Sequence, residues 1–361
     1  MKKIIHIVGA RPNFMKAAPV YFAIRDQGKF DQLLVHTGQH YDEKMSDIFF
    51  RQLGMPEPDI NLKIGSASHA VMTARIMIAF EEVILSEKPD IVIVYGDVNS
   101  TIACAMVAAK LGVKVAHVEA GLRSFDRAMP EELNRMLTDS ISDYFFTTSL
   151  EADGILLNSG IPSDAIHFVG NGMIDTLVRL LPKAQQPSPD DLKLEDGREF
   201  ALVTLHRPSN VDDAEALTQI VNRLNNLSKE MQVIFPIHPR TAARMKDLGL
   251  NADGLTMCGP LGYLEFLWLQ KNARMVLTDS GGIQEETTYL GVPCLTLRDN
   301  TERPITVIEG TNVLIGRDFD LLGSEIDKVV AGKAKQGKIP EKWEGKAGER
   351  TAHILDELFN Q

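Results

Sequence analysis

Cysteine is scarce, with Cys104, Cys258 and Cys294 the only three in 361 residues. They lie far apart in apolar stretches and lack metal-ligand spacing, which excludes a disulfide framework and fits buried free thiols in a reducing cytosol. Excess positive charge is also missing: 38 Lys and Arg face 49 Asp and Glu, for a net charge of −11. Non-specific binding to nucleic acid or to an anionic membrane is therefore not expected, and an anionic ligand has to be held by a few placed cations. No apolar run approaches the roughly 18 residues of a membrane span, and the apolar part of the N-terminal MKKIIHIVGAR is too short for a signal peptide. No repeat period and no low-complexity tract occur, and the first strand is not followed by GxGxxG, so a dinucleotide fingerprint is absent there. These absences predict a soluble, cytoplasmic protein without nucleic-acid or membrane partners.

What is present is alternation. KIIHIV (3–8), QLLVHT (32–37), DIVIVY (90–95), VKVAHVE (113–119) and DYFFTT (143–148) read as short strands, separated by helical stretches such as MKAAPVYFAIRDQ and TIACAMVAAKLG. A second series runs from EFALVTLH (199–206) through QVIFPIH, GLTMCG and RMVLTDS to VPCLTL (292–297). Such patterns predict an α/β protein with two parallel sheets, each covered on both faces. The length agrees, since one core rarely grows beyond about 250 to 300 residues. The polar QQPSPDDLKLEDGR (185–198) reads as a linker or a surface loop beside it, and GKAKQGKIPEKWEGKAGER as a solvated charge run before a last helix with Ile354, Leu355, Leu358 and Phe359 on one side.

Polar residues collect at the predicted strand ends, where open parallel sheets bind ligands. In the first half, GARPNFMK (9–16) brings Arg11 and Lys16, GDVNST (96–101) brings Asp97, and HVEAGLRS ends its strand on Glu119 with Arg123 close behind. Pro130, Glu131 and Glu132 then open a helix, where acids favour the free N–H groups. His117, inside an apolar strand, reads as a satisfied core residue, and Phe266 on its own reads as core. In the second half, TDSGGIQEETTYLG (278–291) puts Ser280, Gly281 and Gly282 at a helix start, a geometry that lets backbone N–H groups approach a phosphate. Glu285 and Glu286, one turn later, suit sugar hydroxyls such as those of a ribose. TLHRP, IHPRT and RDNTERP add His206, His238, Arg298 and Arg303 at neighbouring strand ends. A phosphate and ribose cradle in one half and carboxylates in the other suit a nucleotide sugar.

The ordered blocks GARPNFMK, TGQH, GDVNST, HVEAGLRS, PEELNR, LHRP, HPRT, TDSGGIQEE and TERP resemble the non-hydrolysing UDP-N-acetylglucosamine 2-epimerases across nearly the whole chain. That resemblance implies two Rossmann-like domains of the glycosyltransferase-B type with a cleft between them. Their expected extents are 1–172 with the final helix 347–361, and 173–346. It implies reversible interconversion of UDP-N-acetylglucosamine and UDP-N-acetylmannosamine by elimination and re-addition of UDP through a 2-acetamidoglucal, in a homodimer, without NAD or metal. Matched residue by residue, it implies catalytic roles for Asp97, Glu119, Glu131 and His206, and UDP-binding roles for Arg11, Lys16, Ser280, Gly281, Gly282, Glu286 and Arg303, with Phe266 on uracil. Arg123, Arg135 and His238 complete the expected substrate-binding set. The blocks ARPNFMK and QHYDEKM, with Tyr41 after Gln39 and His40, depart from the best-known members. They look like the branch acting on UDP-2,3-diacetamido-2,3-dideoxyglucuronate. A UDP-sugar glycosyltransferase of the same architecture is the remaining alternative, but it needs one base rather than several carboxylates.

Overall fold

A computed structural model describes residues 1–39, 52–190 and 192–359, and the chain divides into two compact units, 1–179 with 341–361, and 180–340. In chain order the first unit contributes β1 (Lys2–Val8), α1 (Arg11–Gln27), β2 (Phe30–His36), β3 (Ile60–Asn61), α2 (His69–Glu87), β4 (Ile91–Tyr95), α3 (Asn99–Lys110), β5 (Lys114–Ala120), α4 (Pro130–Ile141), β6 (Tyr144–Thr147), α5 (Leu150–Asn158), β7 (Ile166–Phe168) and α6 (Gly172–Leu180). The second contributes β8 (Phe200–Thr204), α7 (Pro208–Val211), α8 (Ala214–Leu227), β9 (Gln232–Pro236), α9 (Pro239–Asp247), β10 (Leu255–Cys258), α10 (Tyr263–Asn272), β11 (Met275–Thr278), α11 (Gly281–Leu290), β12 (Cys294–Thr296), α12 (Pro304–Ile308), β13 (Asn312–Leu314) and α13 (Phe319–Val330). Helix α14 (Ala347–Phe359) returns to the first unit.

Both sheets are parallel, with strand orders β3-β2-β1-β4-β5-β6-β7 and β10-β9-β8-β11-β12-β13. Each order reverses once, between β1 and β4 and between β8 and β11. The loops leaving those strands in opposite directions open a crevice at the strand C-termini. The central strands have no polar face: all five residues of β4 are fully buried, as helices on both sides of a sheet require. The architecture is thus two Rossmann-like units, and every strand expected from the sequence forms. Strands β3, β7 and β13, of two or three residues, are additions. No helix among the described residues is long and apolar enough to cross a membrane.

Three expectations need correcting. The boundaries fall at 179/180 and 340/341 rather than 172/173 and 346/347. The reason is α6: Pro19 inside α1 has no N–H for the Met15 carbonyl, and Thr176 Oγ1 donates to it instead at 2.6 Å. Of the two readings of 185–198 the surface loop holds and the linker does not: its described residues are mostly exposed and without helix or strand, they lie within the second unit, Leu192 is buried in that unit's core with Phe200 and Leu202, and Glu195 N–H donates to Gln232 Oε1 at 3.0 Å. The basic tail is not uniformly solvated either. Trp343 is 1% exposed and its Nε1–H donates to Thr148 O at 2.9 Å. In α14 the buried face is Ala347, Gly348, Thr351, Ala352 and Leu355, while Leu358 is 37% exposed.

Asp175 of α6 accepts the Gly348 N–H at the start of α14, at 2.7 Å. Burial pushes its pKa up to about 6, against the partial compensation of that N–H. A carboxyl raised in the folded state stabilises the fold while protonated, and this contribution is lost as pH rises from the unfolded value near 4 through about 6. Asp175→Asn keeps the acceptor and never ionises. Its urea midpoint should therefore rise relative to the parent between pH 4 and 6.5, by the equivalent of roughly 2 to 3 kcal/mol. Parallel pH curves would contradict this.

Candidate active site

In the first unit the strand ends carry a network of buried ion pairs. Lys16, on the second turn of α1, reaches Glu119 with Nζ 2.7 Å from Oε1, both side chains being at most 5% exposed. The path crosses Gly96, whose φ is 62° and where a Cβ would lie 2.6 Å from Lys16 Nζ, so only glycine fits. Glu119 has a φ of 71°, in the left-handed region, and the β5–β6 register slips between Val118 and Ala120. Such a bulge re-aims one side chain out of the strand alternation, at a cost of about 1 to 3 kcal/mol of backbone strain.

Val98, not Asp97, is the N-cap of α3, and the Asp97 carboxylate is ion-paired with Arg135. Arg135, 2% exposed, is also bonded through Nη2 to Glu132 Oε2 at 2.7 Å. Glu132 in turn accepts from Ser124 N at 2.9 Å, Ser124 Oγ at 3.1 Å and Phe125 N at 3.0 Å. Burial would raise the Glu132 pKa, but the Ser124 N–H and the Arg135 guanidinium outweigh it and hold the carboxyl below its usual range. Arg123 pairs with Asp139 at 2.6 Å. Arg123 and Arg135, expected to bind substrate, are thus committed to internal carboxylates. Glu131 is only half-buried and makes no hydrogen bond or ion pair among the described residues. The side chain of Arg11 and residues His40 and Tyr41 lie outside the described part, whereas Gln39 accepts from Ser100 N at 3.1 Å.

In the second unit, His206 lies largely exposed with Nδ1 2.8 Å from Oδ1 of the fully buried Asp279. Asp279 also accepts the Arg207 N–H at 2.9 Å and Asn210 Nδ2 at 3.0 Å. Burial acts to raise its pKa, yet the hydrogen bonds from His206, Asn210 and Arg207 keep it lowered. Ser280 is the N-cap of α11, and Gly281 follows; a Cβ at Gly281 would come 2.7 Å from Arg303 Nη1. That helix start is glycine-lined and lies beside the Arg303 guanidinium, features that favour an anion, with the Glu302 carboxylate equally near. Arg303 is held by Glu302 and by Glu285, the latter at 2.8 Å. Glu286 accepts from Tyr263 Oη at 2.8 Å and Gln270 Nε2 at 2.6 Å. Phe266 lies on the same helix as both donors, partly buried against the core, and His238 caps α9 by accepting the Arg240 N–H at 3.2 Å. Among the described residues no group of His, Cys, Asp and Glu could hold a metal ion.

Sequence reasoning missed Asp139, Asn210, Tyr263, Gln270 and Glu302. For Asp279 within TDSGG a usable signal exists, a strand-end Asp before a glycine pair.

A family model described as UDP-N-acetylglucosamine 2-epimerase matches residues 23–356. The chain belongs to the UDP-N-acetylglucosamine 2-epimerase family. Among its relatives, the UDP-N-acetylglucosamine 2-epimerase of Methanococcus maripaludis is 44% identical, over 91% of this chain and 92% of that one. The UDP-2,3-diacetamido-2,3-dideoxy-D-glucuronate 2-epimerase of Pseudomonas aeruginosa is also 44% identical, over 99% and 100%. The solved structure of Methanocaldococcus jannaschii UDP-GlcNAc 2-epimerase in complex with UDP-GlcNAc and UDP superposes with a TM-score of 0.88 at 42% identity, covering 98% of this chain and 99% of that chain. Membership of this family identifies the protein as an epimerase of the glycosyltransferase-B type.

The network changes one expected cost. Read from sequence, Glu132 is a helix-favouring acid worth under about 1 kcal/mol. Buried between Ser124 and Arg135, it should cost about 3 to 5 kcal/mol when replaced by Gln, because Arg135 loses a charge partner out of water. A urea midpoint within experimental error of the parent's would refute this.

Proposed function

We propose that the protein inverts C2 of a UDP-2-acetamido sugar, interconverting UDP-N-acetylglucosamine and UDP-N-acetylmannosamine by eliminating UDP across C1 and C2 and adding it back to the 2-acetamidoglucal. The observation that carries this reading is the Lys16–Glu119 pair on a strained bulge. The C2 proton is on carbon and weakly acidic, so a positioned base must remove it while cations hold the departing diphosphate. Inversion further needs acid–base groups for both ring faces, which supports a set of Asp97, Glu119 and Glu131 rather than one carboxylate. We assign the nucleotide to the second unit: the diphosphate to Ser280, Gly281, Gly282 and Arg303, the ribose to Glu286 and uracil to Phe266. Arg11, Lys16 and His238 are further binding groups. His206, oriented by Asp279, suits proton donation to the leaving phosphate. Arg123 and Arg135 act in this reading by holding carboxylates in place.

A second substrate has its own support. The Pseudomonas relative acts on UDP-2,3-diacetamido-2,3-dideoxy-D-glucuronate and matches this chain as well as the N-acetylglucosamine enzymes do. The C2 chemistry is the same for both sugars; they differ at C3 and C6.

Proton NMR of each UDP-sugar with the protein alone, in deuterium oxide, tests the reaction. The C2 epimer should form without acceptor or cofactor and carry deuterium at C2; complete retention of the original hydrogen would overturn the elimination route. Glu131→Gln should lower kcat by roughly 10²- to 10⁴-fold with UDP affinity kept, since the groups proposed for the diphosphate, ribose and uracil lie in the other unit and Glu131 is not among the further binding groups. A fully active variant would return Glu131 to a helix-favouring role.

A homodimer in a reducing cytoplasm belongs to the same proposal. Leu133, Met136 and Leu137 on α4 and Ile78 and Leu85 on α2 are apolar and exposed, and a second copy covering them fits that composition. Sedimentation equilibrium should give about 80 kDa, twice the 40.0 kDa chain. A monomer at micromolar concentration would speak against assembly.

A further inference from the structure

His117 and Asp139 lie outside the residues assigned to the reaction, yet both are buried, at 0% and 3% exposure, and both touch the loops that carry it. His117 sits on β5, with Nδ1 2.7 Å from Asp139 Oδ1 and Nε2 2.8 Å from Gly96 O. Gly96 immediately precedes Asp97. Asp139, on α4, also accepts the Gly121 N–H at 3.2 Å and pairs with Arg123 at 2.6 Å. Gly121, with a φ of 79°, lies two residues after Glu119, whose φ is 71°. One His–Asp pair therefore holds both turns.

A carbonyl only accepts, so His117 Nε2 donates to Gly96 O, while Nδ1 faces the Asp139 carboxylate. Burial acts to raise the Asp139 pKa, but the bonds from His117 and Arg123 keep it below the usual range, so Asp139 stands as a carboxylate between them.

Resting on the proposed epimerase reading, we infer that His117 and Asp139 are positioning residues for the reaction: His117 ties the turn presenting Asp97 to Asp139, and Asp139 clamps the left-handed turn that aims Glu119 at Lys16. The alternative is a core ion pair with no bearing on the site. Two conservative variants separate geometry from charge. In Asp139→Asn every contact can survive, with the amide oxygen accepting from Gly121 and Arg123, and the amide N–H donating to His117 Nδ1. In Asp139→Glu the charge stays, but the added methylene pushes the acceptor into the Gly121–Arg123 turn.

The positioning role expects Asp139→Glu to lose about 10²-fold in kcat, the scale of a 1 Å misplacement, and Asp139→Asn to lose less than about tenfold, with the Kd for UDP unchanged in both. Equal losses, the reverse order, or a loss appearing in UDP affinity instead of kcat would overturn it. Turnover by the parent protein tests the epimerase reading separately. A crystal structure of Asp139→Glu supplies a readout that needs no turnover: Glu119 should leave the left-handed region and release Lys16, and an unmoved Glu119 would overturn the inference even if the parent were inert towards both sugars.

Discussion

A carboxylate or guanidinium out of water costs several kcal/mol unless a partner of opposite charge and good geometry stands against it, and both strand-end clusters obey that constraint. In the first unit Lys16 meets Glu119, Arg135 bridges Asp97 and Glu132, and Arg123 meets Asp139. In the second, Glu302 lies between Arg298 and Arg303, and Arg303 also meets Glu285. Removing one member strands another, so these side chains behave as a set. The same constraint explains why some cations expected to hold substrate do not point outward: a chain of net charge −11 has acids enough to bind its own arginines.

Topology decides where the clusters form, and composition decides what each can do. The two sheets share the strand order around their reversal points, so the segments after β1 and β4 correspond to those after β8 and β11. In the first unit these positions carry Lys16 and Asp97, joined by Glu119 at the end of β5; in the second they carry His206 and the Asp279–Gly281 turn. A helix start lined by small residues attracts anions, whereas a bulged strand end aims a carboxylate. One fold thus yields two different polar clusters, proposed above as nucleotide cradle and acid–base group, and the 44% identity to enzymes for two different UDP-sugars suits a C2 chemistry independent of the C3 and C6 substituents.

Strands of four or more residues were legible because buried parallel strands are runs of Val, Ile and Leu; β3, β7 and β13 are too short to leave a pattern. Segment 185–198 was hard to read because its buried residues, Pro187 and Leu192, are isolated among many polar ones, and the basic tail because Pro340 and Trp343 are scattered anchors within a charge run. The polar residues at strand ends were legible because the topology of an open parallel sheet gathers its loops there. Asp139 was not, since a polar residue inside an amphipathic helix looks solvent-facing until β5 brings His117 against it. Glu131 and Glu132 are adjacent acids in one helical turn, and only the fold of residues 121–125 over that turn tells which is buried.

The chain path adds a dependence that no single motif shows. The first unit is discontinuous: its final helix arrives only after the whole second unit, and Asp175 and Thr176 on α6 tie that helix and α1 together. Helix α1 carries Lys16, so the helix that orients one half of the Lys16–Glu119 pair is backed by the last residues of the chain. Contacts of such long sequence separation form late, because loop closure has to precede them. The second unit, continuous from 180 to 340, has no such requirement. The cluster proposed to bind nucleotide can therefore be complete in a chain whose acid–base cluster still lacks its support.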